Sequence, residues 1–366
     1  MLKLLASLRV PASIAPVGLL LSVLGAATSH AMSLDFSDFG PTSSGLYGGF
    51  GSCGVSVQRY GTAGSGLWTG PNAGVGVKGG ASDGLVDGNE ALEIRFLDAA
   101  DMPVARHGVG YHVEAVSNAN GNPTSGDTFV AAFDAADVSL GIVAIDGLGD
   151  KNLDVLFGSA AIGRFTITAS GDGVRIRSFA YDLPPGEAVA LHTNSVGFSN
   201  AASLELCDTV LSGSANVVLP GGGIAGGDDD AMVDGAEFLL VEFPRPVSNV
   251  EIFSNRTSNL NGNSRSGEGF LEAYGAAGQS LGVVAVASFD VPVSSRFGGV
   301  PITAFRITAN ADGREMTRIT FAPEPAPDLL GWVALATLLG GRRARSSAGS
   351  ARRARATPHR ARRSPR

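Results

Sequence analysis

Residues Ser82–Phe96 read "SDGLVDGNEALEIRF", and residues Asp229–Phe243 read "DDAMVDGAEFLLVEF". The two stretches align without a gap. Asp83, Asp87, Gly88, Glu90 and Phe96 return as Asp230, Asp234, Gly235, Glu237 and Phe243. In the first copy Leu92, Ile94 and Phe96 alternate with Glu93 and Arg95. In the second, Leu239, Val241 and Phe243 hold the same positions. A period of two puts one set of side chains on one face of a strand, so each stretch reads as an acidic turn followed by a half-buried strand.

The likeness extends in both directions. "SNANGNPTSGDTFVAAFDAADVSLGIVAI" (Ser117–Ile145) returns as "SNLNGNSRSGEGFLEAYGAAGQSLGVVAV" (Ser258–Val286), and "FTITASGDG" (Phe165–Gly173) as "FRITANADG" (Phe305–Gly313). The order is kept, and each copy is about the size of a small domain. The expectation is two domains of one fold, at 33–183 and 196–321. A linker at 184–195 contains Pro184-Pro185, which breaks regular structure. "TFVAAF" and "GIVAI" read as strands around the turn "DAADVSL". "FTITA" and "VRIRSFAY" read as a hairpin around "SGDG". The body contains no amphipathic run of helical length. Strands punctuated by turns every 8–12 residues predict an all-β chain of two tandem, jelly-roll-like β-sandwiches.

Composition agrees. Of 366 residues, 51 are glycine, 44% are hydrophobic and 17% are charged, which suits short strands and Gly-rich turns. Charge is unevenly placed. Ten arginines lie in Arg342–Arg366, and Lys3 and Arg9 lie near the start. Between these ends 15 basic residues face 34 acidic ones. An acidic body argues against nucleic acid as a partner, since phosphate binding needs cationic side chains.

The N-terminus has the layout of a secretory signal peptide: Lys3 and Arg9, then "ASIAPVGLLLSVLGAA" (Ala12–Ala27), then small residues. Cleavage is expected after Ala31, giving a signal peptide of 1–31, with Ala27 as second choice. Outside the cytoplasm Cys53 and Cys207 could pair. Their placement fits one inter-domain bridge or two separately buried thiols, and two thiols is the expectation.

Motif look-alikes carry little. "GVGVKG" (Gly74–Gly79) lacks the strand-then-helix context of a dinucleotide site. "GQSLG" (Gly278–Gly282) runs into a strand rather than the helix that a nucleophile elbow needs. No catalytic constellation is apparent, and the expectation is a non-enzyme. The acidic turns offer oxygen ligands for calcium: Asp83, Asp87, Asn89 and Glu90 in one copy, Asp230, Asp234 and Glu237 in the other. The alternative for the same residues is plain turn chemistry. Aromatic content is only 7%, which disfavours a sugar-cleaving cleft, although Tyr60, Trp68 and Tyr111 could contact a saccharide.

The C-terminal stretch "APEPAPDLLGWVALATLLGGRRAR" (Ala322–Arg345) resembles the PEP-CTERM sorting signal of Gram-negative bacteria. Pro323, Glu324 and Pro325 match its motif, Leu329–Gly341 its short transmembrane helix, and Arg342, Arg343 and Arg345 its basic cluster. The resemblance implies a 322–345 sorting segment recognised by exosortase, a membrane-embedded peptidase, often in exopolysaccharide-producing species. It implies an inner-membrane anchor with the body outside the cytoplasm, and release to the cell surface after processing. The tail at 346–366 departs from the family, whose chains normally end just after the arginines. The expected function is a cell-surface or extracellular-matrix protein with adhesive modules. The alternative is a secreted glycan-binding protein carrying the same tag.

Overall fold

A computed structural model describes residues 29–324, apart from 37–48, 61–65, 70–73, 79–83, 89, 119–127, 146, 170–171, 194–198, 220–221, 226–231, 260–268, 287–289 and 310–311. Residues 29–324 form one compact unit. All named strand pairings are antiparallel, and the two helices among the described residues are single turns of four residues, α1 (Leu153–Leu156) and α2 (Val293–Arg296). Among the described residues no helix is long and apolar enough to cross a membrane. The expected anchor at Leu329–Gly341 lies outside the described residues, as do Pro325, Arg342, Arg343 and Arg345.

The first copy is two facing sheets. One has the order β2 (Gly49–Ser52), β3 (Val55–Tyr60), β6 (Ala91–Phe96), β11 (Arg164–Ala169), β8 (Thr128–Phe133), β9 (Ser139–Ile145). The other has the order β10 (Gly149–Asn152), β7 (His107–Asn118), β12 (Asp172–Leu183), β5 (Val75–Lys78), β4 (Gly66–Thr69), with β1 (His30–Asp35) also on β12. Aromatic rings from both sheets meet between them. Phe165 lies 5.9 Å from Phe179 and from Tyr111, and Phe96 lies 5.3 Å from Tyr181.

The second copy repeats this plan with a longer strand. Β17 (Phe238–Asn259) is the counterpart of β6 and β7 joined into one. Its first part pairs with β15 (Thr209–Leu219) and β21 (Ile302–Ala309). Its second part pairs with β20 (Asp290–Pro292) and β22 (Asp312–Pro323), after register shifts. Β18 (Gly269–Gly275) and β19 (Ser280–Val286) complete the first layer, and β13 (Val189–His192) flanks β22. The registers superpose. Phe165 is the cross-strand partner of Ile94, and Phe305 of Val241. Phe96 and Phe165 are 6.2 Å apart, Phe243 and Phe305 6.0 Å. The inward alternation read from the sequence holds in both copies, since Leu92, Ile94, Phe96, Leu239, Val241 and Phe243 are all buried.

Three expectations need correction. First, the two cysteines are joined: Cys53–Cys207 is a disulfide with 5.4 Å between Cα atoms. Each sits in a two-residue hairpin loop whose central residues both have positive φ, Cys53 (58°) with Gly54 (66°), and Cys207 (56°) with Asp208 (57°). That is the type I′ geometry, which matches the twist of the flanking strands. At Gly54 a Cβ would lie 2.8 Å from the Tyr181 hydroxyl oxygen and 3.0 Å from the Leu97 carbonyl oxygen, so no other residue fits. The thiol expectation failed because cysteine spacing in sequence does not reveal which hairpin tips meet.

Second, "FTITA" and "VRIRSFAY" are not a hairpin. Β11 lies between β6 and β8 in one sheet, whereas β12 pairs with β7, β1 and β5 in the other. Both strands alternate correctly but belong to different layers. Third, the linker is largely built in. Val189–His192 form β13 on β22, and Glu187 is held by the buried Arg106 at 2.6 Å.

The hairpin tips dock on each other's leading strands. Cys53 N donates to the Ala190 carbonyl at 2.8 Å, and the His192 N donates to Ser52 Oγ at 3.1 Å. On the other side Ser33 Oγ of β1 donates to Asp208 Oδ1 at 3.2 Å. The disulfide therefore joins equivalent turns across a pseudo-two-fold seam. It closes a loop of 154 residues, for which the chain-entropy account gives about 5 kcal/mol. Replacing both cysteines by alanine is expected to lower stability by about 2–5 kcal/mol in urea denaturation. An unchanged midpoint would show that the seam holds without the bridge.

Β1 begins at His30, ahead of the expected cut after Ala31. His30 and Ala31 pair with Leu183 and Asp182. A cut after Ala27 keeps every rung of β1, whereas a cut after Ala31 removes two. The mature N-terminus is accordingly expected at Thr28 by intact mass. A chain beginning at Met32 would refute this.

Candidate functional site

The outward faces of the two equivalent sheets differ, although their backbones match. On the first sandwich four charged side chains interlock. Arg164 Nε donates to Asp137 Oδ1 at 2.6 Å, and its Nη1 reaches Glu93 at 3.3 Å. Arg95 adds contacts to Glu93 at 3.5 Å and Asp137 at 3.6 Å. The Arg164 guanidinium also lies 3.6 Å from the centre of the Phe133 ring. The Arg164 hydrogen bond leads in holding the Asp137 carboxyl below its ordinary value of 3.8, with Arg95 assisting.

The register assigns the counterparts. Arg164 pairs with Arg95 and Phe133, and Ala304 pairs with Glu242 and Tyr274. Glu93 pairs across to Thr166, and Leu240 to Arg306. Asp137 and Gly278 each close a positive-φ turn (62° and 73°) back to Asp134 and Gly275. So Glu93, Arg95, Asp137 and Arg164 become Leu240, Glu242, Gly278 and Ala304. The interlocking set is gone.

A cavity of about 460 Å3 lies at that place, lined by these four residues together with Phe238, Phe243, Tyr274, Thr303 and Arg306. The Arg306 guanidinium stands 4.1 Å from the centre of the Phe238 ring. Its Nε is buried and has no hydrogen-bond partner. Ser280 Oγ donates to Glu272 Oε1 at 2.7 Å. That bond, then one with Tyr274, holds the Glu272 carboxyl below its usual range. Burial, and then the bond to Glu272, push the Tyr274 hydroxyl upward. The cavity lining thus combines aromatic surface, the Arg306 guanidinium and the Glu242 carboxylate, a mixture suited to a polar ligand with an apolar face.

The sequence-predicted sites fall elsewhere. Asp83, Asn89 and Asp230 lie outside the described residues. The rest form two matching turns. Glu90 N donates to the Asp87 carbonyl at 2.9 Å, and Asp87 N to Glu90 Oε2 at 3.3 Å. Glu237 and Asp234 repeat this at 2.9 Å and 3.2 Å. Asp87, Glu90 and Asp234 are buried. Among the described residues no group of three or more His, Cys, Asp or Glu side chains could hold a metal ion. Ser280 is the first residue of β19 and bonds Glu272, with no helix after it.

The aromatics expected near a saccharide are scattered. Tyr111 is a core residue stacked on Phe165. Trp68 packs against Gly84, and Tyr60 is exposed. Pro323 ends β22, paired with Val247, and Glu324 N donates to the Pro246 carbonyl at 3.0 Å. The cavity was missed from sequence because the copies were aligned for what they share. Their outward differences, Arg164 against Ala304 and Asp137 against Gly278, carried the signal.

No family model matches the chain, and no curated protein does. Solved structures show distant likenesses. An allantoicase has a TM-score of 0.29 and 12% identity over 85% of this chain and 98% of its own. Allantoicase from Saccharomyces cerevisiae has the same TM-score and identity over 64% and 77%. A fucolectin from striped bass (Morone saxatilis) serum has a TM-score of 0.23 and 8% identity over 66% and 85%. Likenesses of this size carry no argument about activity.

A titration of the first sandwich tests its interlocked set. A carboxyl whose folded pKa is depressed stabilises the fold above its unfolded pKa, and that contribution is lost as pH falls through the folded value. Asp137 is expected to titrate by NMR below 3.8, and Arg164→Ala to bring its midpoint back toward that value. Equal midpoints in both proteins would remove Arg164 as the cause.

Proposed function

We propose that this chain is an exported, membrane-anchored surface or matrix protein whose two β-sandwiches form one disulfide-locked adhesive body. The Cys53–Cys207 bridge carries the reading, because such bonds persist chiefly in oxidising compartments outside the cytoplasm. It sits between a signal-peptide pattern at 1–31 and the Pro323-Glu324-Pro325 segment, so three independent features point the same way. On this reading an exosortase-like membrane peptidase acts on the C-terminal segment, the inner membrane holds the unprocessed chain, and exopolysaccharide is the surrounding material. The protein performs no catalysis. Arg342, Arg343 and Arg345 stop transfer and stay on the cytoplasmic side, since carrying them through hydrocarbon is costly. A second reading, glycan binding, is favoured by the open cavity of the second sandwich.

Fractionation tests the anchor. The full chain is expected in the inner membrane of a host lacking the peptidase. A chain ending at Glu324 is expected as soluble, oxidised protein outside the cytoplasm. Equal soluble partitioning of both would end the anchor reading, and reduced cysteines in the exported form would end the argument from the bridge.

A further inference from the structure

We propose that the cavity on the outward face of the second sandwich binds a neutral saccharide. The inference deepens the glycan-binding reading by naming its site and ligand class. It starts from the contrast between the copies. The first sandwich fills this place with Arg164, Asp137, Glu93 and Arg95, each contacting at least one of the others. The second keeps the same strands and registers but places Ala304, Gly278, Leu240 and Glu242 there. Ala304, Gly278 and Glu242, each smaller than its counterpart, border a cavity of about 460 Å3, within the range of small-molecule sites.

The chemistry of the lining selects the ligand. The lining holds one carboxylate, the exposed Glu242, and one guanidinium, that of the half-buried Arg306. A purely apolar ligand would strip water from both groups and return nothing to them. A hydroxyl group donates to a carboxylate and accepts from a guanidinium, so a polyol serves both at once. An anion meets the Glu242 carboxylate as well as the Arg306 guanidinium, so the lining offers it no net positive charge. Cations meet the Arg306 guanidinium, which already occupies the Phe238 ring. Tyr274, half-buried on the outward face, offers ring surface for the C–H face of a sugar. A neutral, polyhydroxylated ring with one apolar face satisfies all of these conditions.

The test uses the full chain in detergent on an array of neutral, sialylated, sulfated and amino-sugar glycans. The strongest neutral glycan is then titrated by calorimetry. Glu242→Gln keeps the shape and removes the charge, and is expected to weaken binding about tenfold, the scale of one charged hydrogen bond. Ala304→Arg together with Gly278→Asp restores the first sandwich's filling and is expected to abolish binding, with the thermal midpoint of Glu242→Gln unchanged from the parent. Tyr60→Ala, on the exposed edge of the first sandwich, is expected to bind as the parent does. Absence of neutral-glycan binding overturns the proposal. So does selective binding of charged glycans, or equal affinity of Glu242→Gln and the parent. If the double variant fails to fold, Glu242→Gln alone decides. Each of these results leaves the localisation reading standing, because fractionation does not depend on the cavity.

Discussion

One bond between two turns organises the body. Cys53 and Cys207 each occupy the first position of a two-residue hairpin loop with both central φ values positive. Around the bridge, the Cys53 amide reaches Ala190, Ser52 reaches His192, and Ser33 reaches Asp208. Asp101 of the first copy also meets His192 at 2.9 Å and Arg318 at 3.6 Å. These polar contacts would be modest singly. A covalent link that restricts the unfolded chain makes them part of one cooperative unit.

The seam explains why two copies behave as one body. Each leading strand, β1 or β13, completes its own sandwich by pairing with the last strand, β12 or β22. The same leading strand receives the other copy's hairpin tip. The buried Arg106 ties the intervening segment down through Glu187, and its guanidinium lies 5.5 Å from the centre of the Tyr181 ring. Tyr181 in turn donates its hydroxyl to the Cys53 carbonyl at 2.5 Å. Within the segment between the copies, Glu187 is therefore held by the first sandwich and Val189–His192 by the second.

Much of this fold was legible in the sequence, and the illegible part has physical causes. The duplication, the strand alternation at Leu92–Phe96 and Leu239–Phe243, and the β8–β9 turn depend on local periodicity and turn chemistry, which sequence displays. Which strands share a sheet is a long-range matter. "FTITASGDGVRIRSFAY" has the look of a hairpin, yet β11 and β12 face each other from opposite layers. The disulfide is long-range too, since 154 residues separate its cysteines. The acidic turns were read for their oxygens. In the described ones the carboxylates also serve the backbone, with Glu90 and Glu237 accepting from the amides of Asp87 and Asp234.

The cavity was the least legible feature, and the reason lies in where a duplicated sandwich can change. Inward positions are bound by the core. Ile94 and Val241, Phe165 and Phe305, Val130 and Leu271, and Ile167 and Ile307 are all buried and all apolar. A change of size there would leave a hole or force strain, at a typical cost of about 1–5 kcal/mol. Outward positions obey a weaker rule. Partly exposed ion pairs contribute on the order of 0–1 kcal/mol each, so a copy can lose its set and keep its fold. The first copy has Glu93, Arg95, Asp137 and Arg164. The second has Leu240, Glu242, Gly278 and Ala304 at those positions, and the strands keep the same register. Recognition can diverge on such a face because stability is held elsewhere, in the shared interior and in the bridge between the turns.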